Sequence, residues 1–414
     1  MLVLAACVQA QDGLRPKDVK DLGKGGPNAL PKLAALLKNP DYDIRREAVK
    51  QIAEIGTQYS LDPLIEATHD NDPAIQILAT DGIVNFYLPG YLKTGLSASF
   101  KRIGTSLKGH FADTNDQVID PYITPRPEAI AALGALVRGG ASMESRANAA
   151  RAAGILRGKA ALPDLIQALH TKDTAVMYES LVAIQKIRDP EAAPSIAFLL
   201  HDLDPKVQVA AIETTGLLRN KAALPDLASV LDRARDAKVR RAALTAMAML
   251  PAESSRPIYA QYLNDKDDRM RAAAAEGYAR LKNPADLPML EKAYQDESKT
   301  SPRLSLAFAL VMLGRTEVSE FSPLQYLVNM LNSEAYHGEA FPLLVELARD
   351  TPVRKSLYTP LLQGTKFEKI YLARVMARSG DKNDEAQLEK LSHDNDPEVG
   401  QEGLRALQNL QART

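Results

Sequence analysis

The stretch Lys159-Ala160-Ala161-Leu162-Pro163-Asp164-Leu165 recurs letter for letter, 62 residues later, as Lys221-Ala222-Ala223-Leu224-Pro225-Asp226-Leu227, with Pro194 midway at 31 residues from each proline. The same ruler runs along much of the chain. Pro31 and Pro63 stand 32 apart, and Pro163, Pro194, Pro225, Pro257 and Pro288 follow at steps of 31, 31, 32 and 31. A fixed period of this length restricts the fold to one supersecondary unit stacked many times. Proline suits the first turn of a helix, where its missing N–H has no intrahelical partner to lose. The ruler therefore predicts an apolar helix opening at each proline, as at Pro31–Leu37 and Pro63–Thr68.

A second landmark lies about ten residues further on. Asp72-Pro73, Asp204-Pro205 and Asp396-Pro397 read as an aspartate N-cap with proline at the first helical position. An apolar residue, basic residues and alanines follow, as in Ile44-Arg45-Arg46-Glu47-Ala48 and Val239-Arg240-Arg241-Ala242-Ala243. The leaders Val176, Val207, Val239 and Met270 keep spacings of 31, 32 and 31. The unit is then a helical hairpin whose second helix closes near Gly56, Gly216 or Gly314. One hairpin cannot bury its own apolar stripe, so neighbours must stack. The expected fold is all-α: a right-handed α-α superhelix of about eleven hairpins.

The pattern Leu-Pro-x-Leu, Asp-x-Asp-Pro-x-Val-Arg, Ala-x-x-Ala-Leu-Gly resembles HEAT repeats, particularly the short class of about 30 residues also found in phycobilin lyases. The resemblance covers nearly all of residues 29–414 and implies an armadillo-like scaffold. Residues 11–28 read as an N-terminal cap, 29–88 and 127–414 as repeats, and 89–126 as an insertion. Within the insertion Leu92, Leu96, Phe100, Ile103, Leu107 and Phe111 form a helical stripe, with Lys93, Lys101, Arg102 and Lys108 beside it. That stripe has three readings: packing on the array, docking a partner helix, or lying on a membrane surface.

Composition narrows the function. With 51 basic and 52 acidic residues the net charge is −1, and there is no Trp. A lesion-binding DNA groove of the kind some HEAT-like arrays carry needs clustered positive charge and aromatics, so it is not expected. The resemblance also raises deoxyhypusine hydroxylase, which binds iron through His-Glu pairs. Here His69, His201 and His393 precede Asp, and His170 precedes Thr171. These histidines fall at matching helix ends, where a polar ring complements exposed carbonyls. Asp265-Lys266-Asp267-Asp268 reads as a capping turn in preference to a calcium loop. No phosphate loop, nucleophile elbow or metal-binding helix pattern is present, so no catalytic residue, cofactor or metal is assigned.

Function is then expected from surfaces, with a protein partner and no nucleic acid. The second helices offer Arg45, Tyr178, Glu213, Arg240, Arg241 and Arg271, and the insertion offers its four cations. Asp204, Asp236 and Asp268 with Arg240 and Arg271 are expected to form an ion-pair ladder along one edge. The repeated heptapeptide is read as a joint, its leucines facing the core and its Lys and Asp facing water. The lone cysteine, in Leu4-Ala5-Ala6-Cys7, matches a lipobox, so residues 1–10 read as the remnant of an export signal with lipid attached to Cys7. The alternative is a short apolar tail on a cytosolic chain. The leading expectation is an exported, non-enzymatic interaction scaffold. The alternative is a lyase-like or enzyme-accessory protein holding a ligand in its groove.

Overall fold

A computed structural model describes residues 13–92 and 117–414, and the described residues contain helices and no strand. Cys7, Lys93, Lys101, Arg102, Lys108 and most of the insertion's apolar stripe lie outside them. A lone helix, Pro16–Gly23, precedes eleven hairpins among the described residues. The chain forms two compact units, residues 1–119 with 123–196, and residues 120–122 with 197–414.

Helix Tyr42–Ile55 shows how each second helix is built. The Asp41 carboxylate accepts from the amides of Asp43 and Ile44, satisfying N–H groups that the first turn leaves open. Ile44, Ala48, Val49 and Ile52 share one face and are fully buried. Gly56, at φ 59°, ends the helix in the left-handed conformation that glycine adopts without a Cβ penalty. Asp72, Asp204 and Asp396 cap their helices in the same way, each with proline following.

Gly216 does not close its helix. It lies inside Pro205–Leu217, and Arg219 takes the left-handed position at φ 57°. Arg157, Arg188 and Lys282 do the same at other helix ends. A cation there faces the negative end of the helix dipole, which offsets part of a backbone cost of about 1–2 kcal/mol. Pro194 also departs from expectation. It sits within a continuous 3-10 run, Pro190–His201, where its missing N–H and ring disfavour α-helix.

The heptapeptide forms a 3-10 turn, Lys159–Ala161 or Lys221–Ala223, leading into Leu162–Ala168 or Leu224–Arg233. Leu162, Leu165 and Leu227 are buried, and Leu224 is half-buried. Lys159, Lys221 and Asp226 face solvent, whereas Asp164 does not. Lys159 pairs with Asp189 at 2.7 Å, and Asp164, mostly buried, pairs with Arg138.

In the first unit, second helices Tyr42–Ile55, Pro73–Tyr87, Met143–Ile155 and Thr174–Ile187 pack one on the next. Pro73–Tyr87 meets Met143–Ile155 directly, so the insertion leaves the stack unbroken. Its described ends join the core: Tyr91 and Ile119 are buried, and Leu92 and Ile123 pack against the cluster. The Tyr87 hydroxyl accepts from the amide of Arg126 at 2.8 Å, tying the exit back. In the second unit, taken by itself, second helices Pro205–Leu217, Ala237–Ala248, Asp268–Leu281, Thr300–Met312, His337–Leu347, Lys366–Ser379 and Pro397–Gln411 pack one on the next. Buried small residues such as Ala272–Ala275 let these helices approach closely.

Candidate interaction surface

Two polar rows recur on the second helices, and their positions are set by the N-cap. The first row begins four residues past the cap. The Arg45 guanidinium donates to Asp70 at 2.7 Å, Arg271 to Glu297 at 2.7 Å, and Lys369 to Asp394 at 2.8 Å. Each acid lies two residues before the next N-cap and also holds its own turn, accepting the cap's amide. This is the expected ladder with different rungs. Asp204 and Asp236 cap helices, accepting from the amides of Lys206 and Lys238. Asp268 is already the first helical residue, behind the true cap Asp267. Arg240 donates to the Tyr262 hydroxyl and the Leu231 carbonyl, and Arg241 pairs with Asp267 at 2.8 Å.

Of the candidate contact residues, Arg45, Arg241 and Arg271 therefore join neighbouring hairpins. Tyr178 is half-buried with its own partners. Glu213 is half-buried without an ion pair among the described residues, and burial alone pushes its carboxyl up to about 8. The acidic turn is committed to capping: Asp265 accepts the amide of Asp267, and Asp267 that of Arg269. His69, His170, His201 and His393 do fall at first-helix ends. The His69 ring meets the Ile65 carbonyl at 3.2 Å. No group of His, Cys, Asp and Glu among the described residues is placed to hold a metal ion.

The second row stands nine residues past the cap. In the first unit Asp81 accepts from the Asn148 amide at 3.0 Å, Asn148 accepts from Arg151 at 3.2 Å, and Arg151 grips Glu179 with two bonds of 2.9 and 3.2 Å. Burial, opposed by Asn148 and Arg151, pushes the Asp81 carboxyl up to about 6.

In the second unit the row holds Glu213, Glu276, Phe308, Arg374 and Arg405. Arg280, only 10% exposed, donates to both Glu346 oxygens at 2.9 and 2.8 Å and to Glu276 at 3.0 Å, with its guanidinium 5.1 Å from the Phe308 ring centre. Burial would push the Glu346 carboxyl up, but Arg280 holds it below the usual glutamate range. Arg269 reaches Glu339 on the same helix at 2.8 Å. Both links pass over Thr300–Met312 to join helices two hairpins apart, so this face of the second unit curves inward there.

Beyond that bend lies an aromatic and basic cluster. His337 stacks on Tyr371 at 5.0 Å, Phe341 lies 6.0 Å from Tyr371, and Arg374 and Arg378 sit over the Tyr371 and Phe341 rings. His337, Phe341, Tyr371 and Arg374 are half-buried, so each presents an edge to solvent. The Asp-Pro and Val-Arg motifs did not flag these residues, because Tyr336 and Thr365 replace aspartate as their N-caps. Counting six and nine residues from a Ser or Thr cap would have found Tyr371 and Arg374.

Among curated proteins, none matches this sequence. Three solved structures of low identity show a partial likeness. An engineered protein is 17% identical, with 92% of this chain and 98% of that one covered and a TM-score of 0.40. The complex of CpcE and CpcF of phycocyanin lyase from Nostoc sp. PCC7120 is 19% identical, covering 66% and 94%, with a TM-score of 0.38. YibA of E. coli is 15% identical, covering 72% and 95%, with a TM-score of 0.43. At these scores the likenesses carry no argument about ligand or activity. The sequence profile of HEAT repeats, by contrast, matches residues 21–93, 130–202 and 224–311, more than half of the chain. This chain belongs to the HEAT-repeat family.

Proposed function

We infer that this protein is a non-enzymatic scaffold that binds an extended segment of a protein partner on its second-helix face. The observation that carries this reading is the cluster of His337, Phe341, Tyr371 and Arg374 beside the inward bend of the second unit. Aromatics and arginine give the largest contact energy per residue at protein interfaces, and here they are held in place by one another. HEAT repeats supply a stack of many small interfaces on which such a face is displayed. Export and lipid attachment at Cys7 rest on the Leu4-Ala5-Ala6-Cys7 motif. Mass spectrometry of the native protein tests them, and an unmodified Met1–Cys7 segment would refute them.

The test of binding is site-specific photo-crosslinking in native extract. A photoreactive residue at position 371 should capture a protein, whereas one at the exposed Tyr59 should not. Equal capture from both positions, or none from 371, overturns the reading. Purified native protein carrying a stoichiometric metal or chromophore would favour ligand holding instead.

A further inference from the structure

Arg405 differs from its repeat equivalents in where its carboxylate comes from. Arg151, Arg374 and Arg405 each stand nine residues past the N-caps Ser142, Thr365 and Asp396. Arg151 and Arg374 take Glu179 and Glu402 from the next second helix, at 2.9 and 3.0 Å. Arg405 instead takes Asp120, a residue 285 positions earlier that belongs to no hairpin. The geometry is a recognition fork. Arg405 Nε donates to Oδ2 at 3.0 Å and Nη2 to Oδ1 at 3.0 Å, while Asn409 Nδ2 donates to Oδ1 at 3.2 Å. The Tyr122 hydroxyl folds back to the same carboxylate at 3.3 Å.

Two further features distinguish this site from a closed structural pair. The Asn409 Oδ1 is buried and accepts no hydrogen bond, an acceptor that a peptide N–H would satisfy. Arg405 is 49% exposed although Asp120 is only 18% exposed, so the fork stays open to solvent with its ligand seated. Glu402 is already engaged by Arg374, which leaves Arg405 as the cation of this stretch whose carboxylate is supplied from outside the repeats.

We propose that Arg405 and Asn409 form a docking site for an aspartate followed by a proline turn in a segment of a protein partner, and that Asp120-Pro121-Tyr122 is the chain's own competitor for it. The proposal rests on the scaffold reading and names the chemistry at one end of that face. Pro121 fixes φ and keeps the segment from helix, and Pro121 and Tyr122 form a turn that returns the Tyr122 hydroxyl to the Asp120 carboxylate. A tethered competitor sets the affinity a partner must exceed, which filters weak acidic sequences.

The test uses the full-length chain and a labelled hexapeptide of sequence Val-Ile-Asp-Pro-Tyr-Ile, read by fluorescence anisotropy. Asp120→Ala/Tyr122→Ala should bind it on the order of tenfold more tightly than wild type, because the competitor's side chains are gone. Adding Arg405→Ala should lose on the order of tenfold, and a peptide with Ala in place of Asp should not bind. Equal binding by wild type and the double variant, or binding unaffected by Arg405→Ala, overturns the proposal. If Arg405→Ala does not fold, Arg405→Lys serves, since it keeps charge and removes the fork. Crosslinking from position 371 without peptide binding would sink this site and leave the scaffold reading standing. Peptide binding without crosslinking would do the reverse.

Discussion

Replacing Asp81 with Asn should flatten the pH dependence of the first unit's stability. Asp81 is 1% exposed on helix Pro73–Tyr87 and meets the Asn148 amide, with Arg151 beyond it. Burial raises its folded-state value from 3.8 to about 6. A carboxyl raised in the fold favours the folded state only while protonated. Its contribution is therefore full below the ordinary aspartate range and is lost as pH rises through about 6. The two values correspond to about 3 kcal/mol in total, of which about 1 kcal/mol falls between pH 5 and 7. Other titrating groups, Glu213 among them, are shared by both proteins and cancel in the difference. Chemical denaturation at both pH values, with amide exchange of helix Pro73–Tyr87 for the local figure, should show wild type losing about 1 kcal/mol more than Asp81→Asn. Identical pH slopes in the two proteins would refute the reasoning.

Three more outcomes follow from the packing. Gly277→Ala should destabilise by about 2 kcal/mol, because its Cβ would lie 2.5–2.7 Å from the Tyr259 ring, which is fully buried and tied to the Met247 carbonyl. The cost should shrink in a Tyr259→Leu background, as read by denaturant midpoints. Arg280→Met leaves Glu276 and Glu346 without their shared cation and should destabilise the second unit by about 3 kcal/mol. The wild-type benefit at Glu346, whose value is depressed, should be present above the usual glutamate range and fade as pH falls through the folded value. A double-mutant cycle on Arg271 and Glu297, both largely buried, should give coupling of about 1 kcal/mol. The same cycle on exposed Lys292 and Asp296 should give none that is measurable.

The fold was legible because its signals are local and repeated. At Asp72-Pro73, Asp204-Pro205 and Asp396-Pro397 the aspartate caps its helix by reaching amides two and three residues on, and a period near 31 needs no tertiary knowledge. Finer features depended on which residue lies across the gap between hairpins. Arg271 was expected opposite an N-cap aspartate, but its reach suits Glu297 two residues before the next cap, while Asp204 and Asp236 are occupied by their own helix amides. Gly216 looked like a stop signal, yet Arg219 closes that helix because a basic residue tolerates the left-handed position at a helix end. The aromatic cluster escaped the sequence reading because its caps are Tyr336 and Thr365. Asp120 and Arg405 are 285 residues apart, a distance that no local pattern bridges.

The links from Arg269 to Glu339 and from Arg280 to Glu346 have a consequence for how the array comes apart. In a one-dimensional stack each hairpin depends on its immediate neighbours, so melting can advance from an end one hairpin at a time. A tie that skips a hairpin makes the free energy of the middle one depend on both flanks at once. Residues 268–347 should then lose protection from exchange in a single cooperative step, with Thr300–Met312 as its interior. A melting front arriving from the Pro397–Gln411 side would pause at that block, leaving a partly unfolded species that still holds the tied helices together.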